Sequence, residues 1–169
     1  FVGNLKGVGK VYLHACVDTY GSYAFGFLHT GKKPECAAAL VHNDVLPFYQ
    51  ECGLTVDAIL TDNGREFCGT ENHPFELYLT LNDIKHRRTK VNSPKTNGFI
   101  ERFNKTVLDE FFRIAFREHF YESVEALQED LDRWLIHYNT QRPHRGYRNR
   151  GKRPLDTVLE FASIVRHEP

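Results

Sequence analysis

Read for where apolar and polar residues fall, the chain divides into short elements of two periods. Val11, Leu13, Ala15 and Val17 alternate with Tyr12, His14, Cys16 and Asp18, the period of two that marks a half-buried strand. Residues 1–5 form a strand before it, and the Lys6–Lys10 stretch, with Gly7 and Gly9, is a turn. Gly21-Ser22 is a second turn, and Tyr23–Leu28 a third, aromatic strand, so the chain opens with an antiparallel meander. The period then changes. Pro34 suits a first helical position, Ala38, Val41, Val45, Leu46 and Tyr49 recur at helical spacing, and Gly53 supplies a stop. Val56–Thr61 is a short apolar strand, Glu76–Leu81 a short helix, and Ile84–His86 another strand. Arg87–Thr96 reads as a polar loop containing Pro94.

Two longer helices follow. The first spans Asn97–His119, with Phe103, Val107, Phe111 and Ile114 on one face. The second spans Ser123–Asn139, with Val124, Leu127, Leu131, Trp134, Leu135 and Tyr138 on one face. Gln141–Lys152 is a basic, Pro- and Gly-containing tail, and Pro154–Val165 a closing helix. Antiparallel strands followed by strands alternating with helices predict a mixed α/β sheet. The division this suggests is residues 1–140 as one core and 141–169 as a basic C-terminal tail.

At 169 residues, 41% apolar and 26% charged, the chain has ordinary globular composition, which excludes wholesale disorder. The longest apolar run is Cys36–Val41, far short of the roughly 20 residues that span a bilayer. No basic-then-apolar leader opens the sequence, so a cytoplasmic location is expected. Cys16, Cys36, Cys52 and Cys68 lie apart with no Cys-x-x-Cys spacing; four small, mostly buried thiols are expected rather than a zinc site.

Lys+Arg and Asp+Glu balance at 22 each, but the balance hides a segregation. Lys85–Lys105 holds seven basic residues against Glu101 alone, Arg142–Arg153 holds six and no acid, and Glu118–Asp132 holds six acids and no Lys or Arg. Local patches decide polyanion binding, so zero net charge leaves nucleic acid open as a partner.

Two motifs carry chemistry. In Leu60-Thr61-Asp62-Asn63-Gly64-Arg65-Glu66-Phe67, an acid stands where an apolar strand ends, at the carboxyl edge where α/β sites are built; Asp-Asn-Gly is equally good turn chemistry. In Ser93-Pro-Lys-Thr-Asn-Gly-Phe-Ile-Glu-Arg-Phe-Asn-Lys105, Glu101 falls near a helix start and about 120° from the apolar face, by the 100° step per residue. It shares its stripe with Lys105, and alone it reads equally as an acid favoured by the helix dipole and paired with that lysine.

Together the motifs resemble the integrase core of retroviral-type integrases and bacterial insertion-sequence transposases, the DDE recombinases. Thr61-Asp62-Asn63-Gly64 and Phe67 match the family's T-D-N-G-x-x-F strand end; Pro94, Asn97, Gly98 and Glu101 match its P-x-x-N-G-x-x-E helix start. Tyr138-Asn139-x-x-Arg142-Pro143-His144 and Arg153-Pro154 resemble the signature that closes many bacterial transposases of this type. The resemblance implies a ribonuclease-H-like α/β fold, a five-stranded mixed sheet flanked by helices, and carboxylates holding two Mg²⁺ or Mn²⁺ ions. It implies Asp62 and Glu101 as catalytic metal ligands, Lys105 meeting a DNA phosphate and Asn97 lining the site. Arg87, Arg88, Lys90 and Lys95 would track the DNA backbone, with Arg142 and Arg145 of the tail counted among the DNA-binding cations. The family's first acid lies one strand before the Gly-rich hairpin, which places it upstream of Phe1, makes the chain N-terminally truncated and leaves it inactive by itself. Asp18 is then a cap of the Gly21 turn.

The implied activity is metal-dependent phosphodiester transfer on double-stranded DNA, nicking transposon ends and joining them to a target, by a homo-multimer with no membrane association, acting at the nucleoid. Two alternatives stand beside it: a non-catalytic DNA-binding remnant, and a ribonuclease-H-like nuclease that only hydrolyses.

Overall fold

The computed structural model describes residues 1–70, 72–89 and 97–167. The chain forms two compact units, Phe1–Thr30 with Phe99–Pro169, and Gly31–Gly98.

The first unit is built on an antiparallel meander of β1 (Gly3–Leu5), β2 (Gly9–Val17) and β3 (Ala24–His29), in that order. The register pairs Gly3 with Val11 and Leu13 with Leu28. Helix α4 (Gly98–Val107) continues through a π-helical turn, Leu108–Phe112, into α5 (Arg113–Glu118). Helix α6 (Val124–Thr140) begins where the Ser123 hydroxyl accepts from the Ala126 N–H, at 3.1 Å. Helix α7 (Pro154–His167) ends the chain's described part. Val11 and Leu28 of the sheet, Phe103 and Val107 of α4, and Leu127 and Leu131 of α6 close one apolar core.

The apolar face predicted for the long helix holds through Phe111 but not at Ile114, which is 44% exposed while Phe112 and Ala115 are buried. A π turn hydrogen-bonds i to i+5 and inserts one extra residue, so the buried positions move on by about one residue beyond it.

Strand β3 ends the meander, and its free edge is closed by side-chain amides of α6. Asn139 accepts from the Ala24 N–H at 2.9 Å and donates to the Ala24 carbonyl at 2.8 Å. Gln128, three turns away, accepts from the Leu28 N–H at 2.7 Å and donates to the Gly26 carbonyl at 3.3 Å. Two amides thus satisfy backbone groups that a neighbouring strand would otherwise take. Gly26 belongs here for its size: a Cβ would sit 3.1 Å from the Leu13 side chain and 3.5 Å from that of Leu135.

The second unit holds α1 (Pro34–Leu40), which runs through a π-helical turn, Val41–Val45, into α2 (Leu46–Glu51). Gly53, at φ 73°, stops it, and Leu54 N–H returns to the Tyr49 carbonyl at 2.8 Å. Strand β4 (Ala58–Thr61), helix α3 (Pro74–Leu81) and strand β5 (Lys85–Arg88) complete the unit. β4 and β5 pair in parallel, Leu60 with Arg87 and Thr61 with Arg88. Ala37, Val41, Phe75, Leu79 and Ile84 form its core.

Two expectations change. In place of a single five-stranded sheet, the strands divide into a three-stranded antiparallel sheet and a two-stranded parallel one. Arg87 and Arg88, assigned to a polar loop, end β5, because parallel pairing with Leu60 and Thr61 extends the strand past its apolar start. All four cysteines are free, and of them Cys52 alone is buried. Among the described residues no helix is long and apolar enough to cross a membrane.

Candidate active site

Asp62 follows the last residue of β4 and is exposed. The turn is held from both sides. The Thr89 N–H donates to the Thr61 carbonyl at 2.9 Å, and Asn63 Nδ2 donates to the Thr89 carbonyl at 3.1 Å. Asp62 Oδ1 accepts from the Gly64 N–H at 2.8 Å. A Cβ at position 64 would lie 2.9 Å from Asp62 Oδ1 and 2.7 Å from Glu66 Oε2, so any larger residue would displace these carboxylates. The missing Cβ therefore keeps a gap beside two carboxylates. Lys32 stands 3.8 Å from the other oxygen of Glu66. Phe67 anchors the far side of the turn edge-on against Phe75, at 5.4 Å.

Beneath the turn lies a polar cluster. Thr61 is buried, and its Oγ1 stands 2.8 Å from His86 Nε2. His86 Nδ1 faces Glu76 Oε1 at 3.3 Å, and the same oxygen takes Arg88 at 3.0 Å. Burial lowers the His86 pKa below its ordinary value, and the Glu76 carboxylate opposes that shift. Alternation along β5 places His86 and Arg88 on the face toward Glu76 and Arg87 on the other. Glu66, Glu76 and His86 had no sequence signal as a group; what brings the last two together is the packing of α3 beside β5.

Glu101 lies in the first turn of α4, exposed, where the helix dipole favours an acid. Phe103 and Val107 take the buried face. Lys105 is exposed one turn on, and no ion pair joins it to Glu101 among the described residues. Asn97 is half-buried just before the helix. Lys90, Pro94 and Lys95 lie outside the described residues.

The tail cations are differently placed. Arg142 grips Glu110 with two nitrogens, at 2.9 and 2.6 Å, and stacks over Tyr138. Lys152 pairs with Glu160 and Arg153 with Asp156. Arg145 is exposed.

Asp18 caps a turn, as its sequence neighbours predicted. Its Oδ1 accepts from the Tyr20 N–H at 2.9 Å and its Oδ2 from the Gly21 N–H at 2.6 Å. Both oxygens are thus engaged with backbone. Divalent ions of the Mg²⁺ class take carboxylate oxygens and keep several waters, so exposed Asp62 and Glu101 are donors of the right chemistry. Among the described residues, no group of three His, Cys, Asp or Glu side chains is gathered for a metal.

These features define an α/β fold of the retroviral-integrase catalytic-core kind. The chain aligns with the catalytic core domain of BIV integrase at a TM-score of 0.66 and 22% identity, over 94% of this chain and 91% of that one. It aligns with the HTLV-2 integrase catalytic core domain at 0.62 and 19% identity, over 86% and 83%.

Residues 82–151 match the integrase core domain family. A putative integrase, ORF3, of Spiroplasma virus SpV1-C74 is 29% identical over 145 residues, 80% of this chain and 39% of that protein. The putative transposase InsD for insertion element IS2E of Escherichia coli (strain K12) is 33% identical over 92 residues, 53% of this chain and 39% of that protein. The chain is thus similar to the integrase cores of integrases and insertion-sequence transposases, as its motifs indicated, and it spans 39% of the length of each of these two relatives.

Proposed function

We propose that this chain is a catalytic core for DNA integration by phosphodiester transfer, of the insertion-sequence transposase type. Residues 1–140 are the core proper and 141–169 its basic tail. In the first step water attacks a phosphorus at a transposon end; one P–O bond forms, one breaks, and a 3′-hydroxyl is released. In the second that hydroxyl attacks a target phosphorus, and the target's 3′-oxygen leaves with the proton. Each step breaks one P–O bond and forms another, so no separate energy source is required.

The observation that carries this reading is the exposed carboxylate of Asp62, fixed at a strand end inside the family's own motif. Asp62 and Glu101 are the ligands in this reading. Two Mg²⁺ or Mn²⁺ ions held by carboxylates supply activation of the attacking oxygen and neutralisation of the leaving one. Lys105 meets a phosphate, Asn97 borders the site, and Arg87, Lys90, Lys95 and Arg145 are the cations offered to the DNA backbone, where contacts position without reading sequence, while Arg88 and Arg142 are already engaged by Glu76 and Glu110. The partners are duplex DNA at the element ends and the target, and further copies of the chain, in a cytoplasmic, nucleoid-bound assembly.

A second reading, a DNA-binding remnant without catalysis, draws on the basic runs Lys85–Lys105 and Arg142–Arg153. Strand-transfer assays of the full-length protein separate them. Asp62→Asn and Glu101→Gln each abolish joining while duplex binding persists; joining retained in either variant removes the assignment. Cleaved but unjoined product would favour a purely hydrolytic nuclease.

A further inference from the structure

We infer that His86 is a positioning residue for Asp62, acting through Thr61; the inference rests on the metal-ligand reading of Asp62. Thr61, the last residue of β4, is buried at 7% exposure, so its hydroxyl needs a partner inside the protein. It has two within reach: His86 Nε2 at 2.8 Å and the Asp62 carbonyl at 2.9 Å. One hydroxyl carries one proton, and a carbonyl only accepts, so the Thr61 hydroxyl donates to the Asp62 carbonyl. His86 Nε2 then carries the ring proton and donates to Thr61 Oγ1. Nδ1 faces Glu76 Oε1 at 3.3 Å without closing a hydrogen bond. The chain of hydrogen bonds runs from His86 through the Thr61 hydroxyl to the Asp62 carbonyl.

The ring has little freedom to leave this arrangement. Phase along β5 directs it toward α3, where it meets the Phe75 ring edge-on at 5.6 Å. Arg88 shares the Glu76 oxygen at 3.0 Å and fixes that carboxylate from the other side. The Asp62 carbonyl is thereby pinned, and Asp62 leaves the strand in one direction. Groups that hold a ligand without touching the ion typically account for 10–100-fold in metal affinity. Arg88 has two claims on it in consequence, since a cation engaged by Glu76 is less available to DNA than Arg87 on the opposite face.

The two nitrogens of His86 can be tested apart. His86→Gln keeps an amide near the Nε2 position and so preserves the Thr61 contact; His86→Asn keeps one near Nδ1 and loses it. Mn²⁺ affinity of the full chain, read by water-proton relaxation, is the measurement, with thermal midpoints alongside. The expected result is Mn²⁺ binding weakened about 10-fold in His86→Asn and in Thr61→Val, and within about 3-fold of the parent in His86→Gln and Thr61→Ser. Parent-like Mn²⁺ affinity in His86→Asn, or an equal loss in the Asn and Gln variants, overturns the positioning role and leaves Asp62 as a ligand untouched. Unchanged Mn²⁺ affinity in Asp62→Asn is the separate outcome that overturns the ligand reading, and this inference with it.

Discussion

Two aspartates, Asp18 and Asp62, stand one residue beyond a strand, each followed closely by a glycine, and the molecule uses them in opposite ways. Asp18 turns both oxygens inward onto backbone N–H groups, and the turn it caps is clasped from the tail. There Asn149, 1% exposed, donates to the Gly21 carbonyl at 2.7 Å and to Thr157 Oγ1 at 3.1 Å, and Arg148 lies over the Tyr20 ring. A Cβ at Gly21 would meet Val158 at 3.0 Å. Asp62 gives one oxygen to its own turn, is exposed, and has its support beneath it in Thr61 and His86. A carboxylate whose hydrogen bonds are spent on the fold stabilises it; one held rigid with oxygen to spare is available for chemistry.

The largest expected effect separates the two directly. In the full-length protein, Asp62→Asn lowers strand transfer at least 100-fold, about 2.7 kcal/mol in barrier at about 1.4 kcal/mol per factor of ten, and moves the thermal midpoint by less than about 2 °C. Asp18→Ala does the reverse in thermal melts. Loss of two charged hydrogen bonds costs about 2 kcal/mol and lowers the midpoint by roughly 5 °C. A pair of variants with the same profile would erase the distinction drawn here.

The same contrast explains what the sequence could tell. The roles of Asp18 and the motif around Asp62 are local, written in residues that touch within a few positions, and they were legible. So was the exposed stripe of Glu101 and Lys105, which needs only helical phase. Ile114 was not, because a π turn shifts phase without leaving a mark in the sequence. His86 and Glu76 were not, because their meeting depends on how α3 packs beside β5, which is tertiary structure rather than local pattern. The tail signature was legible as a motif but not in its action: Asn139 serves the edge of β3 from 115 residues away. Composition marked residues 142–153 as a basic patch, while the structure engages Arg142, Lys152 and Arg153 with acids of the same unit.

The clasp over Asp18 gives the next effect. Asn149→Ala removes two donated hydrogen bonds and strands the Gly21 carbonyl in a buried place, at a cost of about 2 kcal/mol. Urea unfolding followed at constant slope measures it. Asn149→Ala should also cost nearly nothing more once Asp18→Ala has loosened the same turn, since residues sharing one network are not additive. Full additivity would mean that the clasp and the cap act on different structures.

A smaller effect depends on pH. His144 packs edge-on against Tyr138 at 4.6 Å, and burial, followed by the nearby Arg142, lowers its pKa from 6.5 to about 4. The unfolded chain therefore takes up a proton that the folded chain refuses between those values. Its contribution to stability is complete above about 6.5 and is lost as the pH falls toward 4. His86 and His29, both lowered by burial, add in the same direction. Melting at pH 7, 5.5 and 4.5 should show the loss, and His144→Gln should flatten the part of it that belongs to His144. An identical pH profile in His144→Gln would place the acid sensitivity elsewhere.

The smallest effect asks which cations answer to DNA. Arg142 belongs to the Asp18 unit, half-buried and bound by two nitrogens to Glu110, so it must break an ion pair before it can meet a phosphate. Arg87 belongs to the Asp62 unit, exposed on the face of β5 away from Glu76. Each phosphate neutralised releases counterions and adds about 0.9 to the slope of log affinity against log salt. Arg87→Ala should therefore reduce that slope by about 1, whereas Arg142→Ala should leave it unchanged and lower the melting temperature instead. Titrations of each variant with a fixed duplex between about 50 and 200 mM salt span the range over which such contacts show. A slope lost in Arg142→Ala and kept in Arg87→Ala would mean that the tail opens on DNA, and that its ion pairs are a resting arrangement rather than part of the fold.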